Sequence, residues 1–274
     1  MSGESGLLLN RAQRSMEKAM IFAAGLGTRL RPLTDTMPKA LVPVSGRPIL
    51  GYQLERLAAA GVKEVVVNVH HFAEQVIRYL EEHDFGLRVR VSDERDGLLD
   101  TGGGLARARQ WLDGDAPVLV HNVDILSNVD LHRWAGAHPD GTTLLVSERQ
   151  TQRYLLFDEE NRLVGWTNVA TGQVRSPYSK LDVARCRRYA FSGIQLFSPR
   201  LFSLMEGWPR RFSIIDFYLS VCREVPVYGC PEPGLRLLDI GKPAALAAAE
   251  DFLASAGNCS GAGKLPPVAS SVSE

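Results

Sequence analysis

"MIFAAGLGTRLRPLTDTMPKALVP", residues 20–43, begins as an apolar run and turns abruptly into glycines, threonines, two arginines and a lysine. A continuous apolar stretch over Ala19–Ala24 is the pattern of a strand buried on both faces. Directly after it, Gly25 and Gly27 permit close backbone approach, and consecutive N–H groups there can form a nest for an anion. Arg29, Arg31 and Lys39 add three cations. On its own, a GxG turn also fits a plain strand end with solvated arginines, so the neighbours decide. The segment lacks G-x-x-x-x-G-K-[ST], which excludes a Walker A loop. Leu30 stands where the third glycine of a dinucleotide fingerprint belongs. Three cations around a glycine nest suit a polyphosphate.

Outward from the loop, the first half alternates strand and helix patterns. A helix is expected over Pro48–Ala60, ending at Gly61, then a β-branched strand over Val62–Val69. An amphipathic helix over 72–83, a strand at Leu87–Val91, a helix over Thr101–Leu112 with Thr101 as N-cap, and a strand at Ala116–Val120 follow. This rhythm predicts an α/β fold: a Rossmann-like mixed, mainly parallel sheet flanked by helices. The second half reads as a meander, with strands at 142–147, 154–157 and 162–166 and one ending at Pro199. A short helix over Pro199–Met205, a helix capped by Ser213, strands at Val225–Tyr228 and Leu235–Ile240, and a closing helix over Pro243–Ala254 complete it. Residues 1–17 and 256–274 are small, polar and rich in Pro, Gly and Ser, so disorder is expected there. One domain over 18–255 remains, without repeats.

Composition excludes several classes. Of 274 residues, 45% are hydrophobic and 23% charged, with formal net charge +0, so neither nucleic acid nor an anionic membrane is an expected partner. No apolar run approaches the roughly 20 residues of a membrane span, and the first residues lack the form of a secretory signal. Cys186, Cys222, Cys230 and Cys259 show no CxxC pairing, so reduced structural thiols and a cytoplasmic location are expected.

Three further segments carry candidate chemistry. "DTGGGLARA" (100–108) places three glycines before a helix, as a cap or as a seat for a base or phosphate. "VLVHNVDIL" sets Asp124 just beyond a buried strand, where open α/β sheets bind ligands. "RLLDIGKPAALAAAE" supplies Asp239, a capping residue or a second carboxylate. His70, His71, His121 and His132 read as local hydrogen-bonding or surface residues.

Together, "AAGLGTRLRPLTDTMPKALVPVSGRPIL" (23–50) resembles the signature G-x-G-T-R-[LM]-x-P-L-T, then P-K, then G-x-P, of the sugar-1-phosphate nucleotidylyltransferases, and similar motifs recur through 18–255. The short form of that family, with N-acetylmuramate-1-phosphate uridylyltransferases and mannose-1-phosphate guanylyltransferases, is the nearest in character. The resemblance implies a nucleotide-diphospho-sugar transferase fold and Mg²⁺-dependent transfer of a nucleotidyl group from a nucleoside triphosphate to a sugar 1-phosphate. UTP with N-acetylmuramate 1-phosphate comes first, and GTP with mannose 1-phosphate is the alternative. A catalytically silent nucleotide-sugar-binding regulator is a third reading. By the same resemblance, Arg29 and Lys39 are catalytic. Ala24, Gly25, Gly27, Thr28, Arg29, Gly102, Gly103 and Asn122 bind the nucleotide, Gly102 and Gly103 through main-chain atoms against the base. Gly193 approaches the sugar, and Asp124 and Asp239 hold the metal. The short form lacks the left-handed β-helix of longer relatives, so a monomer or homodimer is expected. Departures are Val123 for glycine, Leu237 for tryptophan, Lys242 for threonine and the missing E-K-P, where "GWTNVATG" stands. That leaves Arg187, Arg188 or Lys180 as candidates for the sugar phosphate, with Trp166 near the sugar.

Overall fold

The computed structural model describes residues 16–138, 141–241 and 243–257. Lys242 and most of both tails, where disorder was expected, lie outside them.

The first half is built on four parallel strands. After β1 (Lys18–Phe22) and the opening loop, β2 (Pro43–Val44) and β3 (Arg47–Pro48) form a short hairpin of their own. β1 lies between β4 (Glu64–Val69) and β6 (Val118–Asn122), and β5 (Arg88–Asp93) extends the sheet beyond β4. Side chains alternate across these strands. Ala19, Ile21, Val65, Val67 and Leu119 enter a first core, while Met20, Val66, Val118 and Val120 enter a second. Helices cover both faces, which is why β1, β4 and β6 read as mainly apolar runs, whereas edge strand β5 alternates. The first core takes Leu50, Leu54 and Leu57 from α1 (Ile49–Ala59), Val76 and Leu80 from α2 (Ala73–Glu82) and Trp134 from α5 (Leu131–Ala137). The second takes Leu105 from α3 (Asp100–Arg107), Leu112 from α4 (Arg109–Leu112) and Phe217 from α6 (Ile214–Val221). The expected helix over 101–112 is therefore two helices meeting at Ala108.

Beyond β6 the sheet becomes antiparallel, as the meander pattern implied. β12 (Arg187–Phe197) pairs with β6 at its C-terminal end and with β9 (Arg153–Phe157) at its start, with β8 (Thr142–Ser147) alongside. β10 (Leu163–Asn168) and β11 (Gln173–Arg175) finish this edge, and β13 (Val227–Pro231) runs parallel to β8. Among the described residues this is one mixed ten-stranded sheet. β7 (Ile125–Ser127) and β14 (Leu237–Asp239) form a separate small antiparallel ribbon, and α7 (Pro243–Gly257) follows it.

Candidate active site

The strand ends of β1 and β6 open into a cleft of about 310 Å³. Ala24 and Gly25 of the opening loop line it, with Lys39, Asn122, Val123 and Asp124. Gly25 is exposed, and a Cβ there would meet nothing within 4 Å, so the backbone stands open to a ligand. Gly27 does a different job. At φ 65° it is left-handed, and its carbonyl accepts from Leu30 N and Thr34 Oγ1, both at 2.8 Å, winding the loop back on itself. Thr28 and Arg29 project from this turn and are exposed. Arg31 lies apart, ion-paired with Asp35 at 3.2 Å in solvent.

The two carboxylates meet through the β7–β14 ribbon. Asp239 pairs with Ile125, the residue after Asp124, and Ile240 N donates to the Asp124 carbonyl at 2.9 Å. The loop cations converge on the same place: a Cβ on Gly241 would lie 2.7 Å from Arg29 Nη2, 2.8 Å from Asp239 Oδ1 and 3.1 Å from Lys39 Nζ. Lys39 Nζ also forms an ion pair with Asp124 Oδ2, with both side chains largely shielded. Arg29, Lys39, Asp124 and Asp239 thus form one charged cluster. Buried Gln53 fixes the segment by donating to the carbonyls of Val123 (3.3 Å) and Ile125 (2.7 Å). Gly193, at φ 81°, kinks β12, and a Cβ there would come within 2.7 Å of Asn122 Nδ2. Gly193 therefore packs against Asn122, but of the two only Asn122 lines the cleft.

At the other end, sequence reasoning missed a buried network. The Ala23 and Ala24 amides donate to Asn68 Oδ1 (2.7 and 3.3 Å), Asn68 Nδ2 donates to Glu94 Oε1 (2.7 Å), and Leu99 N donates to Glu94 Oε2 (3.1 Å). Burial raises the Glu94 pKa above the usual carboxylate range. Both residues line the cleft, and no local sequence pattern marks them, because Asn68 on β4 and Glu94 just past β5 meet only in the folded sheet.

The glycine run corrects an expectation. Gly102 N and Gly103 N both donate to the Phe212 carbonyl (2.9 and 3.3 Å), so these amides are committed to the protein rather than to a base. Their missing side chains make room for the incoming segment. A Cβ on Gly102 would strike the Phe212 ring, one on Gly103 the Arg210 carbonyl, and one on Gly104 would lie 2.8 Å from Glu94 Oε1. Thr101 is not an N-cap either: its Oγ1 accepts from Ile214 N at 3.0 Å, and Asp100 and Thr101 face the cleft.

Other candidates lie elsewhere. Arg187 donates to Asn161 at 2.9 Å, beside a second hollow, and neither Arg188 nor Lys180 lines the cleft. Trp166 sits beneath the Arg175 guanidinium, 4.1 Å from its ring centroid. The histidines behave as read. His70, His121 and His132 bond to the carbonyls of Glu94, Asn122 and Ala60 at 2.8, 2.7 and 3.1 Å, and His71 is exposed. Cys186, Cys222 and Cys230 are unpaired, and burial pushes the Cys222 thiol up to about 11.

As a metal site, two adjacent carboxylates offer only hard oxygen donors. Among the described residues no group of three or more His, Cys, Asp or Glu forms a ready cage. Few protein ligands, with positions left for phosphate and water, fit magnesium. No helix among the described residues is long and apolar enough to cross a membrane.

The nucleotidyl transferase family profile matches residues 18–256. N-acetylmuramate alpha-1-phosphate uridylyltransferase of Caulobacter vibrioides is 34% identical over 87% of this chain and 97% of its own length. Mannose-1-phosphate guanyltransferase beta-A of Xenopus laevis is 29% identical over 86% of this chain and 62% of its own. The inositol-1-phosphate CTP transferase of T. maritima superposes with TM-score 0.70 at 17% identity, over 88% of this chain and 96% of its own. With that span and those relatives, the protein belongs to the nucleotidyl transferase family, among its sugar-1-phosphate nucleotidylyltransferases.

Proposed function

We propose that the protein transfers a uridylyl group from UTP to N-acetylmuramate 1-phosphate, releasing pyrophosphate, through a single domain spanning residues 18–255. The observation that carries the transfer chemistry is the convergence of Arg29, Lys39 and Asp239 around Gly241, with Asp124 ion-paired to Lys39. The choice of substrates is supported by the uridylyltransferase relative, matched over 97% of its length against 62% for the guanylyltransferase. GTP with mannose 1-phosphate is the second reading, and its relative's overlap with this chain supports it.

In this reading an oxygen of the sugar phosphate attacks the α-phosphorus, and the bond from that phosphorus to the bridging oxygen of the β-phosphate breaks. The attacking phosphate has its second pKa around 6, so it is largely ionised near neutral pH and needs no general base. Catalysis then rests on alignment and charge neutralisation. Arg29 takes the transferring and leaving phosphates, Lys39 the α-phosphate, and the Gly25 backbone the approach of the triphosphate. Asp124 and Asp239 would hold Mg²⁺, which when bound offsets phosphate charge. A silent regulator would have little use for this cluster of two cations and two carboxylates.

Asp124→Asn is expected to lower kcat by about a thousandfold, the scale of losing a principal electrostatic group, while keeping the fold by circular dichroism. Turnover within tenfold of wild type would remove the carboxylate from the chemistry.

A further inference from the structure

The cations assigned to the triphosphate already sit among carboxylates, since Lys39 pairs with Asp124 and Arg29 approaches the point where Asp239 lies. Arg211 is different. It lines the same cleft, is exposed, and makes no hydrogen bond or ion pair with any described residue. Its backbone is nevertheless well anchored. Phe212 N donates to the Leu99 carbonyl at 3.2 Å, the Phe212 carbonyl receives Gly102 N and Gly103 N, and Ile214 N reaches Thr101 Oγ1. Arg210 on its other side is ion-paired with Asp96. An unpartnered guanidinium is thus held beside the Leu98–Thr101 turn, while Lys39 and Asp124 belong to the β6–β14 side.

The proposed reaction brings a second anion into this cleft. A phosphate monoester carries about −1.5 to −2 charges near neutral pH, and it must approach a triphosphate whose cations are already engaged. A guanidinium meets such a group through two parallel N–H donors. The residues that the sequence offered for this task, Arg187, Arg188 and Lys180, do not line the cleft.

We propose that Arg211 holds the phosphate of the incoming sugar 1-phosphate, forming a phosphate-monoester subsite. This rests on the nucleotidyl-transfer reading of the cleft.

Arg211→Gln and Arg211→Lys test it, and because the side chain is exposed both variants should fold. Initial rates are measured with each substrate varied in turn, and triphosphate binding is measured separately by calorimetry. The expected result for Arg211→Gln is a KM for the sugar phosphate raised about tenfold or more, equivalent to about 1.4 kcal/mol, with triphosphate binding unchanged and partial recovery in Arg211→Lys. A weakening of triphosphate binding by the same factor would assign Arg211 to the other substrate and overturn the proposal, as would an unchanged KM. If wild type itself turns over no sugar phosphate, the functional reading fails separately. Inorganic phosphate titrated onto the triphosphate-saturated proteins then decides Arg211: weaker binding to Arg211→Gln supports the subsite, and equal binding overturns it.

Discussion

At Gly103 an added Cβ would run into the carbonyl of Arg210, while the residue's own amide is held by Phe212. Backbone cannot swing aside as a side-chain tip can, so the segment over 210–212 would have to shift. Gly103→Ala is expected to destabilise the fold by about 2 kcal/mol, within the range for overpacking, and to weaken substrate binding by displacing Arg211. Thermal melts check the first and the KM for the sugar phosphate checks the second; an unchanged melting temperature would show that the joint is slack. The sequence displayed the glycines but not their partners, which lie far along the chain. From one strand of text, a run of glycines before a helix looks the same whether it admits a base or a phenylalanine ring. The residues of the opening loop were legible because their function is local: Gly25 and Gly27 are adjacent to the strand end they serve.

Among the elements, β6 is buried between β1 and β12 and ends at Asn122, two residues before Asp124. His121 lies within it, fully buried, its Nδ1 against the Asn122 carbonyl and, among the described residues, its Nε2 without a partner. Burial, aided by the charge of Arg56, lowers its pKa to about 3. Below about pH 6.5 the unfolded chain binds a proton here that the folded chain refuses until about pH 3. Stability therefore falls as pH drops through that window, by up to about 1.4 kcal/mol per unit from this one group. Urea denaturation between pH 7 and 5 should show a shallower loss for His121→Leu than for wild type; equal slopes would mean that the imidazole charges in place. The pairing of β14 with β7 shows the limit of reading elements alone. Both strands are short, and only tertiary pairing sets Asp239 opposite Ile125 and so beside Asp124.

For the whole molecule, the parallel half was readable because burial on both faces writes continuous apolar runs separated by helical periods. Its boundaries moved by a residue or two, and the 101–112 helix divided at Ala108, where no Gly or Pro announces a break. The antiparallel half was visible as short strands but not in its order, since β12 joins three neighbours through a kink at Gly193 that no periodicity encodes. The Asn68–Glu94 network and Arg211 were illegible for the same reason: each belongs to the cleft only after the sheet has formed. The family signature carried the function further than the fold could, because one fold serves many chemistries. The central claim is nucleotidyl transfer to a sugar phosphate, and the measurement that tests it most directly is pyrophosphate release by the purified protein with Mg²⁺, each common nucleoside triphosphate and a panel of sugar 1-phosphates. The account predicts release with UTP only when N-acetylmuramate 1-phosphate is present. Release with GTP and mannose 1-phosphate would move the specificity, and silence across the panel without triphosphate binding would contradict the reading of the loop itself.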